Sequence, residues 1–155
     1  MTSLGVHFAL TVEQEDALLD AADPDEVLDV VARIEEGAAE ADLMDTDKAW
    51  DTIHRCLSDG TLNTTGGDYP LSHAILGGMQ VDAGDDYFVG YLTPEQVGDV
   101  AHALGPLTEQ WFWQRLVTLD LTEDLQYVWT NFVDLRRFFE QVAGTGRAVI
   151  FTVDQ

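Results

Sequence analysis

The chain has 155 residues, 46% of them hydrophobic, and carries 29 acidic residues against 7 lysines and arginines, for a formal net charge of -22. The hydrophobic content is typical of a folded protein, and the length suits one domain over residues 1 to 155. The negative charge disfavours binding to nucleic acids and anionic membranes and favours a basic partner. A salt-adapted or high-GC bacterial host would produce the same composition, so the acidity has two open explanations.

The sequence predicts a cytoplasmic protein. Its first ten residues lack the basic residues and the long apolar run of a signal peptide, and no apolar run elsewhere approaches the ~20 residues that span a bilayer. The only cysteine, Cys56, has no partner for an internal disulfide, as is common in a reducing compartment.

Apolar runs and helix-start signals alternate along the chain. Residues 4 to 10, LGVHFAL, predict a strand covered on both faces, because the run is apolar and too short for a typical helix. Thr11 and Thr93 carry the capping-box pattern, and Pro24 suits a first helical turn. Further helices are predicted over 47–60, 71–78, 107–119 and 128–144, and strands over 87–92 and 147–153, the last of them central together with the first. The pattern predicts an α+β fold, a single compact domain in which three or four strands pack with about five or six helices.

The stretch DKAWDTIHRCL, residues 47 to 57, brings acid, imidazole and thiol groups together on one predicted helix. At about 100° per residue its apolar side chains gather on one side, which predicts that Cys56 is buried and inert. A polar stripe of Asp47, Asp51 and His54 lies beside them and is the best candidate for a cleft. In the structural alternative, Asp47 caps the helix and Asp51 pairs with Arg55.

A second stretch, DYPLSHAILGG, contributes Tyr69 and Ser72 to the same candidate cleft, provided that it folds against the first. No G-x-S-x-G elbow surrounds Ser72, and adjacent residues of a helix point about 100° apart, so Ser72 and His73 are not expected to form a dyad. Ser72 is expected to cap a short helix instead. The four histidines are dispersed without metal-ligand spacing, and DAGDD at 82–86 lacks the calcium-loop pattern, so the sequence indicates neither a metal nor a cofactor.

Three consecutive aromatic residues, Trp111, Phe112 and Trp113, form a second candidate site. On a helix they span about 200° and cannot all face one core, so at least one should reach the surface or a neighbouring segment. An exposed tryptophan on an acidic protein is a suitable anchor for a protein partner or for a second copy of the chain. Burial under a loop or under the C-terminal helix is the alternative.

The stretches DKAWDTIHRCL, YPLSHAILGG and DLRRFFEQVAGTGRAVIFTV resemble the YfbM-like family of bacterial proteins of unknown function, and the resemblance extends over most of the chain. It implies a compact single α+β domain. It implies no reaction and no catalytic residues, because the family has no established function.

Two functional hypotheses follow. The first is a non-enzymatic protein-interaction or regulatory module, indicated by the charge, by the aromatic cluster and by the lack of a known catalytic signature. The second is a small hydrolase or ligand-binding protein with a cleft around Asp51, His54 and Ser72. The exposure of His54 discriminates between them, because a catalytic imidazole must reach its substrate.

Overall fold

The computed structural model describes residues 4 to 154, which form six α-helices and five β-strands. The helices are α1 (Val12–Asp20), α2 (Pro24–Gly37), α3 (Trp50–Leu57), α4 (Pro94–Leu104), α5 (Glu109–Thr118) and α6 (Leu125–Thr145). The strands are β1 (Gly5–Ala9), β2 (Leu43–Asp45), β3 (Met79–Val81), β4 (Tyr87–Leu92) and β5 (Val149–Asp154). The α+β class and the number of helices agree with the prediction.

The strands form one antiparallel sheet in the order β2-β1-β5-β4-β3, so that β5 is central beside β1. The prediction of three or four strands is wrong, because β2 and β3 were not recognised. Each has only three residues, LMD and MQV, too few to show the alternation that identifies a strand. They are strands because β1 and β4 offer backbone groups that a neighbouring segment can pair.

Helices cover both faces of the sheet. On β5, Ile150 packs into a cluster with α1 and α2, whereas Val149 and Phe151 pack into the larger cluster with α3 to α6. Successive side chains of a strand point to opposite faces, so a strand covered on both sides is apolar at nearly every position. This explains the unbroken apolar runs from which β1 and β5 were predicted.

Capping follows the sequence signals. Thr11 and Thr93 each form a complete capping box, and Pro24 and Pro94 lie in the first turns of α2 and α4. At the other end of the chain, α6 ends at Gly146, whose left-handed φ of 69° suits glycine. Local side chains therefore fix most helix boundaries in this fold.

Two predicted helices are shorter than expected. The helix predicted from residue 47 begins at Trp50, because Asp47 has a φ of 51° and its N–H donates to Asp45 Oδ1 at 2.7 Å as the chain leaves β2. Asp47 therefore does not cap α3. The segment predicted as a short helix after Pro70 contains only a 3-10 turn, Leu71–His73. Ser72 lies inside that turn and makes no capping hydrogen bond.

All four tyrosines of the chain donate a hydrogen bond to a carboxylate on a distant segment. A neutral phenol can hold a carboxylate in place without a cation, which matters in a chain with 7 basic residues. Three pairs connect β4 or α6 to segments far away in the sequence: Tyr87 with Glu35, Tyr91 with Glu15, and Tyr127 with Asp47. The fourth pair, Tyr69 with Asp99, connects the loop before the 3-10 turn to α4.

These tyrosines are expected to ionise late in the folded protein. The bond to Asp99 raises the pKa of Tyr69 to about 12, and burial followed by the bond to Glu35 raises the pKa of Tyr87 to about 12. A raised pKa in the folded state stabilises the fold below the unfolded value of about 10, and this stability is lost as the pH rises through about 12. Absorbance near 295 nm should show little tyrosinate at pH 10 to 11 until the protein unfolds, and Tyr91→Phe should remove one of the late transitions. Ordinary titration near pH 10 in the folded protein would contradict the pairing.

Candidate functional site

The apolar face of α3 holds this helix to the sheet and to α6. Its side chains are exposed by 9% or less: Ala49, Trp50, Ile53, Cys56 and Leu57. Burial raises the pKa of the Cys56 thiol to about 11, so the sulfur is protonated at neutral pH and is a poor nucleophile. The predicted burial of Cys56 is confirmed, and the raised pKa agrees with an unreactive thiol.

The C-terminal end of α3 is connected to α5 by Arg115. Its guanidinium donates to the carbonyl oxygens of Cys56 at 2.9 Å and Ser58 at 3.1 Å, and it lies 5.9 Å from the ring centre of Trp111. A cation there satisfies carbonyls that the helix leaves unpaired. The two candidate regions of the sequence are therefore neighbours, although the contact is made by Arg115 and by the backbone.

The three residues of the predicted polar stripe, Asp47, Asp51 and His54, each contact a different partner. Asp47 accepts a hydrogen bond from Tyr127 at 2.5 Å, and Asp51 accepts one from Arg55 Nε at 2.7 Å, as the structural alternative predicted for Asp51. His54 is only 1% exposed, and its Nε2 lies 3.3 Å from the Asn63 carbonyl oxygen. Burial lowers the pKa of His54, which outweighs the opposite effects of the Asn63 carbonyl and the nearby aspartates. The imidazole is therefore neutral and enclosed.

The second motif surrounds a cis peptide bond between Tyr69 and Pro70. Tyr69 is 46% exposed and donates to Asp99 on α4 at 2.5 Å, whereas Ser72 is 4% exposed. Ser72 Oγ lies 3.1 Å from His73 Nδ1, although adjacent residues of the predicted helix would point about 100° apart. They meet because the backbone here is a single 3-10 turn and not the α-helix from which the angle was taken.

A buried histidine that the sequence analysis did not select lies at the centre of the sheet. His7 on β1 is fully buried, its Nε2 lies 2.7 Å from the Ala74 carbonyl oxygen, and its ring packs 4.7 Å from that of Phe151. Burial lowers the pKa of His7 to about 4, so the neutral ring donates through Nε2. Its Nδ1 has no hydrogen-bond partner within the described residues. The polar residue inside the apolar run LGVHFAL was the available signal.

His7 explains part of the second motif, because it binds the Ala74 carbonyl within YPLSHAILGG. The glycines of that motif are required by close packing: a Cβ on Gly77 would lie 2.1 Å from the Ser72 carbonyl oxygen, and one on Gly78 would lie 2.7 Å from that of Tyr91. The space between His7 and this segment has no room for a water molecule. We therefore interpret the motif as a packing unit that joins the segment to the sheet.

The aromatic residues of α5 have three different environments. Phe112 is fully buried, with its ring centre 4.5 Å from that of Phe132 on α6, and Trp111 is partly covered by Arg115. Trp113 is 53% exposed, and Val117, one helical turn further on, is 60% exposed. One of the three aromatics therefore reaches the surface, as their spacing on a helix requires.

Trp113 and Val117 form one side of a surface groove of about 480 Å³ between the end of α5 and the start of α6. We call this the α5–α6 groove. Apolar and acidic side chains line it, namely Trp113, Leu116, Val117, Leu121 and Leu125, and Asp120, Glu123 and Asp124. Leu121, Leu125 and the acids were not predicted from the sequence, because their proximity to Trp113 depends on how α5 turns into α6.

In the part of the chain from residue 4 to residue 154, no three His, Cys, Asp or Glu side chains are arranged to hold a metal ion. None of its helices combines the length and the apolar composition needed to cross a bilayer.

Comparisons with known proteins agree with the fold. A family model described as a domain of unknown function, DUF1877, matches residues 1–152. The crystal structure of YfbM from Escherichia coli, a protein of unknown function, is similar with a TM-score of 0.66 and 19% sequence identity, over 97% of this chain and 99% of that chain. No curated protein matches the chain. The resemblance to YfbM-like proteins is confirmed, and at this identity the structural likeness concerns the fold alone.

Proposed function

The chain belongs to the DUF1877 family, whose function is unknown, and from this starting point we propose that it is an acidic, non-enzymatic protein-interaction or regulatory module. Its contact surface in this proposal is the α5–α6 groove. The observation that carries the proposal is the 53% exposure of Trp113 beside the 60% exposure of Val117. Single exposed apolar residues are ordinary, but a tryptophan bordering a groove with apolar walls is typical of a recognition surface.

The partner in this proposal is a different protein. Two copies of the chain would each bring a net charge of -22, and that repulsion opposes a homodimer. We place the interaction in the cytoplasm, because Cys56 has no partner for an internal disulfide.

The hydrolase hypothesis has less support. A general base must come within hydrogen-bond reach of its substrate, whereas His54 and Ser72 are 1% and 4% exposed. Asp51, which shares the predicted polar stripe with His54, is paired with Arg55. Nothing in the arrangement of Asp47, Asp51, His54, Tyr69 and Ser72 favours chemistry at this location.

Photo-crosslinking in the host tests the proposal. A photoreactive amino acid replaces Val117 in the groove or, as a control, Leu19 on α1, which is 48% exposed. We expect position 117, but not position 19, to give a discrete adduct with a second protein, and Trp113→Ala should abolish it. A dimer of the chain as the only adduct, the same adducts from both positions, or no adduct at position 117 would contradict the proposal.

A further inference from the structure

We propose that the α5–α6 groove binds a basic amphipathic helix of a partner protein, in which lysine or arginine side chains flank large apolar ones. This inference rests on the proposed function and makes it more specific. The proposed function requires only that some protein binds at this surface. The inference fixes the chemistry of the segment that binds.

The apolar part of the groove suits a helix. Trp113 and Val117 are four residues apart, so they form a short stripe along α5 about 6 Å in length. Two apolar side chains spaced one turn apart on a partner helix match such a stripe, which is the usual pattern of helix-in-groove recognition. Leu121 and Leu125 face the same space from the loop and from α6, so the partner side chains would enter between two apolar walls.

The acidic part of the groove determines the charge of the partner. Asp120, Glu123 and Asp124 line the same space, and none of them forms an ion pair with a basic residue between positions 4 and 154. The six arginines and one lysine provide few competitors, and the three ion pairs found there use Arg55, Arg137 and Arg147. Three carboxylates without cations, on a chain of net charge -22, favour a cationic segment and repel an acidic one.

Two of these carboxylates can be neutralised without disturbing the fold. Asp120 has a left-handed φ of 53°, which asparagine also tolerates, so Asp120→Asn keeps the backbone conformation. Glu123 lies in the loop before α6, and Glu123→Gln keeps its shape. Asp124 is left unchanged, because its side chain accepts from the Tyr127 N–H and caps α6.

The experiment compares two synthetic amphipathic helical peptides with the same apolar face and with a polar face of either lysine or glutamate. Fluorescence anisotropy of the labelled peptides against the whole chain gives Kd at low and at high salt. We expect the lysine peptide to bind roughly tenfold or more tightly than the glutamate peptide, and the difference to shrink at high salt. Trp113→Ala should raise the Kd of the lysine peptide roughly thirtyfold, and Asp120→Asn with Glu123→Gln should remove most of the charge preference.

Matched control variants distinguish peptide binding in the groove from attraction to the net negative charge of the chain. Leu19→Ala changes an exposed apolar side chain on α1, and Asp82→Asn with Asp86→Asn removes two charges from the β3–β4 turn. Both changes lie outside the groove, so neither should change the Kd of the lysine peptide by more than about twofold. Equal binding of both peptides, no binding of the lysine peptide at low salt, or equal effects of the groove and control variants would overturn the inference. If a position-specific crosslink at 117 accompanies any of these results, the proposed function is supported and only the basic helical partner is contradicted.

Discussion

Trp50→Ala is expected to lower the free energy of unfolding by about 3 to 5 kcal/mol, because it removes the largest side chain that holds α3 to the sheet. The indole is 9% exposed, and its ring centre lies 5.9 Å from that of Phe151 on the central strand. Gly5 on β1 leaves room for it, since a Cβ there would lie 2.7 Å from Trp50 Cδ1. Urea or thermal unfolding followed by circular dichroism measures the change.

The same substitution at an exposed position provides the control. Trp113 is 53% exposed, so Trp113→Ala should change the free energy of unfolding by no more than about 1 kcal/mol. His54→Ala should cost about 1 to 3 kcal/mol, because it removes a buried ring and its contact with the Asn63 carbonyl. The removal of Nδ1, which has no hydrogen-bond partner among residues 4 to 154, offsets part of this loss. Equal losses for Trp50→Ala and Trp113→Ala would show that Trp113 belongs to the core and would remove the basis for the groove.

Acidification is expected to destabilise the protein through His7 by roughly 3 kcal/mol. Burial holds the pKa of His7 at about 4, whereas the unfolded chain binds this proton near 6.5. The unfolded state therefore takes up more protons between these values, so the contribution is fully present above pH 6.5 and is lost as the pH falls towards 4. Protonation would place a charge among Phe138, Phe139 and Phe151.

The test is the free energy of unfolding measured against pH for the wild type and for His7→Gln. Glutamine stays neutral and can still donate to the Ala74 carbonyl, so His7→Gln removes the proton linkage of this position. Its altered packing changes the free energy of unfolding by the same amount at every pH. Other titrations are common to both proteins and cancel when one free energy of unfolding is subtracted from the other. They are the protonation of the many carboxylates, which reduces the self-repulsion of the chain, and the titration of His54 and His73. We expect the two curves to converge as the pH falls. Parallel curves between pH 6.5 and 4 would show that His7 is not proton-linked.

Local signals explain what was predicted correctly. The capping boxes at Thr11 and Thr93 form between residues three apart, so the sequence contains both partners of each hydrogen bond. The position of Cys56 on the apolar side of α3 and the exposure of one α5 aromatic follow from helical geometry. The runs at β1 and β5 are apolar at nearly every position because helices cover both faces of the sheet.

The failures involve the local path of the backbone and contacts between segments. In the structural alternative Asp47 caps α3, but this residue adopts a left-handed conformation and binds Tyr127, 80 residues away. His54 was placed on a polar stripe, but the Asn63 loop closes over it. Helical spacing shows which side of α3 a residue occupies, whereas burial of that side depends on segments that the spacing does not describe.

The sequence by itself therefore determined the fold class, the starts of α1, α2 and α4, the two buried strands, the apolar side of α3 that carries Cys56 and the outward position of one α5 aromatic. Each of these depends on contacts within a few residues or on the period of an apolar pattern. Only the tertiary structure decided that β2 and β3 pair at the sheet edges, that His7 binds the second motif, and that three leucines and three acids meet beside Trp113. The physical reason is that strand pairing, the burial of a polar ring and the shape of a groove depend on how segments pack in three dimensions, which neither the period of an apolar pattern nor a local hydrogen bond specifies.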